Sequence, residues 1–206
     1  MNNISPTKSN LIKAKSSLDL AREGYELLDQ KRNVLIHEMM NRIDEAKEIQ
    51  ARINEYFFDA YQALQVVDIT TGIEVVEEIS TGIEYIDDIK IKNYSIMGVE
   101  IPEVNQVSEK IDPHYSFMRT NLSLDRAFKN FRRVVSLIAR LAETETAVYR
   151  LAKAIKQTQK RTNALENILI PRYNERVKFI EETLEEKERE DFYRIKMVKK
   201  KKKDNI

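Results

Sequence analysis

The sequence predicts a mainly α protein: a long antiparallel two-helix coiled coil with a short middle block containing a β-hairpin. Three observations predict it. Of 206 residues only eight are Gly or Pro, and five of these, Gly72, Gly82, Gly98, Pro102 and Pro113, crowd into residues 72–113. On either side, apolar residues recur at alternating steps of three and four, a period near 3.5 that keeps two helices in register as they supercoil. Charged residues make up 33% of the chain and apolar residues 42%, a balance that suits narrow apolar seams better than a thick core. Four segments follow: a long N-terminal helix over 1–68, a middle block over 69–122, a long C-terminal helix over 123–198 and a basic tail over 199–206.

The first arm opens at Ser5-Pro6, where Ser accepts from free N–H groups and Pro at the first helical position sacrifices no needed donor. Its seam runs Leu11, Ala14, Leu18, Ala21, Tyr25, Leu28, Leu35 and Met39, with Arg32 filling one slot. It continues through Ile43, Ala46, Ile49, Ile53, Tyr56, Ala60, Leu64 and Val67. A helix from Pro6 to about Val67 would be roughly 90 Å long at ~1.5 Å per residue. Gly24 weakens such a helix by about 1 kcal/mol without stopping it.

The middle block holds a short echo, Thr71-Gly72-Ile73-Glu74 and Thr81-Gly82-Ile83-Glu84, too brief to define a repeat architecture. Val75 to Ile79 suits a short helix. Ile89 to Ile96 alternates apolar and polar residues, Met97-Gly98 supplies a turn, and Val99-Glu100-Ile101-Pro102 reads as the return strand, so a hairpin is predicted at about 89–102. An isolated hairpin is marginal in water, so this one must lean on the helices or on a partner. Asp112-Pro113 marks the exit.

The second arm is expected to be capped by Ser123, with a seam at Leu124, Ala127, Phe131, Val134, Ile138, Leu141, Glu145, Val148, Ala152 and Ile155. A stretch poor in apolar residues, Lys156 to Asn163, interrupts it. The seam resumes at Leu165, Ile168, Leu169, Val177, Ile180 and Leu184 and is expected to reach Phe192 and Ile195. Because periodicity persists beyond Pro171, this proline is expected to kink the helix or remove one backbone bond, not to end it.

Net charge is +1 but unevenly spread: −2 over 1–68, −7 over 69–116 and +10 over 117–206. Such polarity gives different parts of the chain different surfaces to offer. There is no Cys, so disulfides and thiolate metal sites are excluded. No apolar run is long enough for a membrane span, and a soluble or peripheral protein is expected. His37-Glu38 begins a zinc-protease pattern, yet Asn41 stands where the second His is needed. The glycines stand alone, so no phosphate-binding loop forms. Paired carboxylates such as Glu181-Glu182 and Glu185-Glu186 lie on a charged helix face, where Glu185 and Arg189 form an attractive i,i+4 pair. The chain offers no catalytic constellation and no cofactor site.

Two basic features remain: the run Lys199–Lys203, and the cations of the polar stretch. A basic helix end suits the helix macrodipole, and it equally suits a phosphate, an anionic lipid or an acidic protein wall.

Several segments resemble the D subunits of V-type (A/V-type) ATPases. They are Ser5-Pro6-Thr7-Lys8 with Leu11; Gly24-Tyr25 with Leu27-Leu28, Lys31-Arg32 and Leu35; Gly98-Val99-Glu100-Ile101-Pro102; Thr158 with Lys160-Arg161-Thr162-Asn163-Ala164-Leu165-Glu166 and Ile170-Pro171; and Leu184-Glu185-Glu186 through Glu188-Arg189-Glu190, Phe192, Arg194 and Lys196. None of these segments falls in residues 69–87. The resemblance implies a part of the central stalk, a rotor axle without catalytic residues or cofactor. Its paired termini would insert into the catalytic A/B hexamer, its middle would bind the F subunit, and it would connect through the C (or d) subunit to the membrane ring. Under that reading Lys156, Lys160, Arg161, Asn163, Glu166, Lys199 and Lys200 are candidate hexamer contacts. Ile89, Ile91, Tyr94, Met97, Val99 and Ile101 are candidate contacts for the F subunit or the stalk end. The protein would be cytoplasmic and peripheral to the membrane, with no membrane insertion and no nucleic acid. Periodicity alone equally permits a cytosolic coiled-coil adaptor or tether. A nucleic-acid-binding coiled coil using the Lys-rich tail is disfavoured by the acidic middle and by the few aromatics near that tail.

Overall fold

The structure is a computed structural model that describes residues 5–83, 89–105, 115 and 120–204. The Asp112-Pro113 exit, Glu84 of the echo and the Lys201–Lys203 side chains lie outside the described residues. The elements in chain order are α1 (Lys8–Thr71), α2 (Ile73–Thr81), β1 (Ile91–Ile96), β2 (Val99–Val104), α3 (Leu122–Ala164), a π turn (Leu165–Leu169) and α4 (Ile170–Asp204). Among the described residues the chain is mainly α with one two-stranded antiparallel sheet, as the sequence predicts. Its residues form two compact units, one from Met1–Asn33 with Lys156–Ile206, the other from Val34–Ile155.

In the first unit the start of α1 runs antiparallel to the end of the chain. Lys8 pairs with Glu188 at 2.9 Å and Lys15 with Glu181 at 2.6 Å. Arg22 donates to Asn174 at 3.2 Å and Arg32 to Gln159 at 2.9 Å. Partner numbers fall as α1 numbers rise, which fixes the direction. The helix begins two residues later than Ser5-Pro6 suggests. Thr7 is the cap, its Oγ1 accepting from the Asn10 N–H at 3.3 Å, while the Ser5 carbonyl accepts from the Asn10 side chain at 2.7 Å. A threonine hydroxyl three residues ahead of a free N–H is the geometry that capping needs.

The predicted seam of α1 holds throughout. Leu18, Ala21, Leu35, Ile49, Ile53, Ala60 and Val67 are buried, and Arg32 occupies its slot half-buried, paired to Asp29 on its own helix.

The second arm departs from expectation in several places. Between residues 144 and 152 the buried face is one residue earlier than predicted: Thr144, Ala147 and Leu151 are buried, while Glu145 and Ala152 are exposed. A buried carboxylate needs a partner, whereas the Thr144 hydroxyl satisfies itself on the Arg140 carbonyl at 2.9 Å. Leu151 also buries more apolar surface than Ala152 would. Within the stretch poor in apolar residues, Thr158 and Thr162 continue the seam, with Thr162 bonding back to the Thr158 carbonyl at 3.0 Å. Phe192 and Ile195, expected on the seam, are exposed. The first helical residue, Lys8, already faces Glu188, so no turn of α1 lies opposite the end of α4. The cap of α3 is also Asn121, not Ser123: the Asn121 side chain accepts from the Leu124 N–H at 3.2 Å.

Pro171 lies in the first turn of α4, directly after the π turn. The Ile170 N–H bonds to the Leu165 carbonyl, the wider i to i+5 pattern, and the helix continues to Asp204. The extra residue shifts the seam, which runs Leu165, Leu169, Tyr173 and Val177 in steps of four.

In the second unit the rest of α1 runs antiparallel to α3. Glu45 meets Arg140 at 3.0 Å, Tyr61 meets Phe131 edge-on at 5.5 Å, and Thr70 accepts from Asn121 at 2.7 Å. Gly72, at φ 91°, separates α1 from α2 in a conformation that L side chains rarely adopt. Gly82 has an ordinary right-handed backbone, so the two halves of the Thr-Gly-Ile-Glu echo have different conformations. The hairpin pairs Ile96 with Val99 and Ile91 with Val104. Met97 and Gly98 both have positive φ, 50° and 78°, the two-residue turn whose twist matches that of paired strands.

Ile101 is fully buried against Leu35, Ala147 and Leu151, with Tyr94, Ile96 and Val99 around it. The hairpin therefore leans on the helices. Replacing Ile101 by Ala should cost about 2–5 kcal/mol of stability, while the same change at exposed Ile91 should stay within about 0.5 kcal/mol. Chemical denaturation of the two variants measures the contrast.

Candidate functional site

The candidate sites are surfaces, and the hairpin shows how one is built. Beyond the Ile101 contacts, three polar ties hold it to the helices. The Arg42 Nη2 donates to the Tyr94 hydroxyl at 2.8 Å, with Arg42 itself steadied by Glu38 at 3.2 Å and Glu45 at 3.1 Å. Glu143 accepts from the Val104 N–H at 2.9 Å, and Arg150 donates to the Glu100 carbonyl at 3.1 Å. Glu38, the second residue of the abortive zinc-protease pattern, is thus a structural partner of Arg42.

The predicted hairpin residues divide by face. Ile101 is fully buried, and Tyr94 and Val99 are half-buried against the helices. Ile91 and Met97 are exposed on the outward side of the hairpin, whereas Ile89, just before β1, is 44% exposed and lines an apolar groove with residues of α1, α2 and α3. Arg42, Glu143 and Arg150 were not legible as hairpin anchors, because a charged residue on a charged helix carries no signal of a strand above it.

The basic set is uniformly on the surface. Lys156, Lys160 and Asn163, at i, i+4 and i+7, share one exposed face of α3, and exposed Arg161 flanks it. Asn163 accepts from the Gln159 side chain at 2.6 Å. Glu166 is exposed on the π turn, and Lys199 and Lys200 are exposed near the end of α4. The buried threonines on the opposite side of the same helix are what turn these cations outward. Near Lys199, exposed Phe192, Tyr193, Ile195, Met197 and Val198 add apolar surface to the basic helix end.

Two further surfaces were missed from sequence. Ile12, Leu20 and Leu27 are each about two-thirds exposed and recur at steps of eight and seven on the side of α1 away from its seam. Their regular spacing was the available signal, hidden because the stronger seam absorbed the periodicity. In the second unit an apolar groove of about 710 Å³ lies among Leu64, Ile79, Tyr115, Phe128, Phe131 and Val135. Tyr115 donates to Asp125 at 2.7 Å beside it. Among the described residues no helix is long and apolar enough to cross a membrane, and no three His, Asp or Glu side chains converge as a metal site.

The family of ATP synthase D subunits matches residues 10–200, a span that includes 69–87. The chain belongs to this family. The D subunit of a V-type ATP synthase from Thermotoga neapolitana is 44% identical over 198 residues, covering 96% of this chain and 98% of that protein. The D subunit of an A-type ATP synthase from Thermococcus sibiricus is 38% identical, covering 95% and 93%. Its counterpart from Pyrococcus abyssi is 39% identical with the same coverage. In this member of the family of D subunits, the hairpin, the basic face of α3 and the Ile170-Pro171 step all lie inside the matched region.

Two tyrosines give the chain an alkaline sensitivity. Burial pushes the Tyr94 hydroxyl above the ordinary tyrosine range, against the opposing pull of Arg42. Burial also raises Tyr115, helped by its hydrogen bond to Asp125 and by the carboxylate charge. Both protons are held more tightly folded than unfolded, so the stabilisation is complete below about pH 10 and is lost as pH rises through the folded values. Denaturation midpoints should fall between pH 9 and pH 11, and Tyr115→Phe should flatten that fall.

Proposed function

We propose that this chain is the rotor axle of the central stalk in a V/A-type rotary ATPase. It transmits torque between the catalytic A/B hexamer and the membrane ring, coupling ATP hydrolysis or synthesis to H⁺ or Na⁺ transport. The observation that carries this reading is the match to ATP synthase D subunits over nearly the whole chain. The physical design agrees with it. Paired antiparallel helices resist bending and twisting better than a single helix, and the charged and apolar side chains off the seams are available to partners. The axle itself is structural and catalyses nothing.

In this reading the basic face of Lys156, Lys160 and Arg161, with Asn163 and Glu166, meets the inner wall of the hexamer, and Lys199 and Lys200 do so from α4. The outward face of the hairpin, Ile91 and Met97, receives the F subunit, with Ile89 beside it at the apolar groove. The C (or d) subunit links the stalk to the ring. The protein is cytoplasmic and held at the membrane only through its complex.

A tagged chain expressed in its own cell should co-purify a small F-like subunit and the A/B hexamer. Stable partners without ATPase subunits would instead mark an adaptor or tether. The double reversal Lys160→Glu and Arg161→Glu should weaken hexamer association on the order of tenfold while leaving the thermal midpoint of the isolated chain nearly unchanged. Unchanged association and unchanged coupled ATPase activity would remove those residues from the interface. Ile91→Asp with Met97→Asp should loosen the F-like subunit by a similar factor without unfolding the hairpin, as titration of purified partners would report.

A further inference from the structure

Gly24 of α1 and the π turn at Leu165–Leu169 face each other across the first unit. Nothing in the packing requires glycine at 24: an added methyl would lie 4.0 Å from the Leu165 Cδ1, an ordinary contact distance. The backbone there is regular helix, so alanine would fit and would hold the helix better. The facing turn is weakened in its own way. Pro171 has no N–H to give, and the wide turn moves the Ile170 N–H to the Leu165 carbonyl. The Asn163 carbonyl is served by the Asn167 side chain at 3.1 Å, a side-chain bond open to solvent. Around the facing pair the larger seam residues Tyr25, Leu28, Leu165 and Leu169 are only half-buried, and the fully buried positions nearby include the small or polar Ala21, Thr158 and Thr162. Among the described residues, both clusters of contiguous buried apolar side chains lie in the other unit.

We propose that Gly24 and the π turn Leu165–Leu169 with Pro171 form one built-in hinge, at which both helices of the first unit yield together. Two weak points facing each other let the pair flex without breaking the seam. A weak point on one helix alone would be splinted by an intact neighbour. Glycines, prolines and π turns are the features at which helices bend.

Hydrogen exchange on the full-length chain tests this. Amides of Arg22–Leu28 and Glu166–Tyr173 should exchange at least tenfold faster than those of Thr158–Thr162 and Val177–Ile180 in the same unit. Gly24→Ala should slow exchange about fivefold in both facing segments, the factor set by the helix preference of Ala over Gly, and leave the two reference segments unchanged. Deleting exposed Asn167 together with Pro171→Ala should restore a regular α-helical turn and slow both segments further. If that variant does not fold, the wild-type map and Gly24→Ala still decide. Two outcomes overturn the hinge. One is facing segments as protected as the references. The other is slowing by Gly24→Ala confined to its own helix.

Discussion

A helix packed against one partner can bury only one stripe, and that constraint governs the molecule. Each seam position stands alone, without a second layer to compensate for a poor choice. Leu35, Ala60, Val134, Leu151 and Ile180 are nearly or wholly excluded from water, whereas many large apolar side chains elsewhere are exposed. Each buried side chain of this kind contributes roughly 1.5–3 kcal/mol in gross terms, which ordering entropy largely offsets. Where the hairpin adds a third element over the helices, a fuller core forms around Ile101.

The same constraint explains the polar residues that are buried. Thr144 and Thr162 fill stripe positions without a neighbour to hydrogen-bond, because each can return its hydroxyl to the carbonyl four residues earlier. Placing threonine on the stripe lets the helix carry charge densely on its other faces. The ion pairs along the first unit are largely exposed, as at Lys8 and Glu188, so they set the register of the helices more than they stabilise it.

Much of this was legible in the sequence. The α1 seam was readable because its apolar side chains stand at regular steps, and the hairpin because Met97-Gly98 interrupts two alternating runs. The α3 seam was misread where apolar residues occur in adjacent pairs. At Ala147-Val148 and Leu151-Ala152 periodicity cannot choose, and the choice fell to side-chain volume and to what threonine can satisfy alone. The caps at Thr7 and Asn121 were displaced by one turn or less from Ser5 and Ser123, since several neighbouring residues have suitable oxygens. The candidate hairpin residues lie on both faces of the sheet, with Ile101, Tyr94 and Val99 toward the helices. Alternation says which residues share a face, but only the helix beneath says which face is covered.

Two of the three polar ties under the hairpin grip main-chain atoms, the Val104 N–H and the Glu100 carbonyl. Every amino acid except proline supplies both groups. The outer residues of the strands can therefore change over generations without loosening the mount. The anchoring side chains Glu143 and Arg150 hold the backbone whatever side chain stands at those two strand positions.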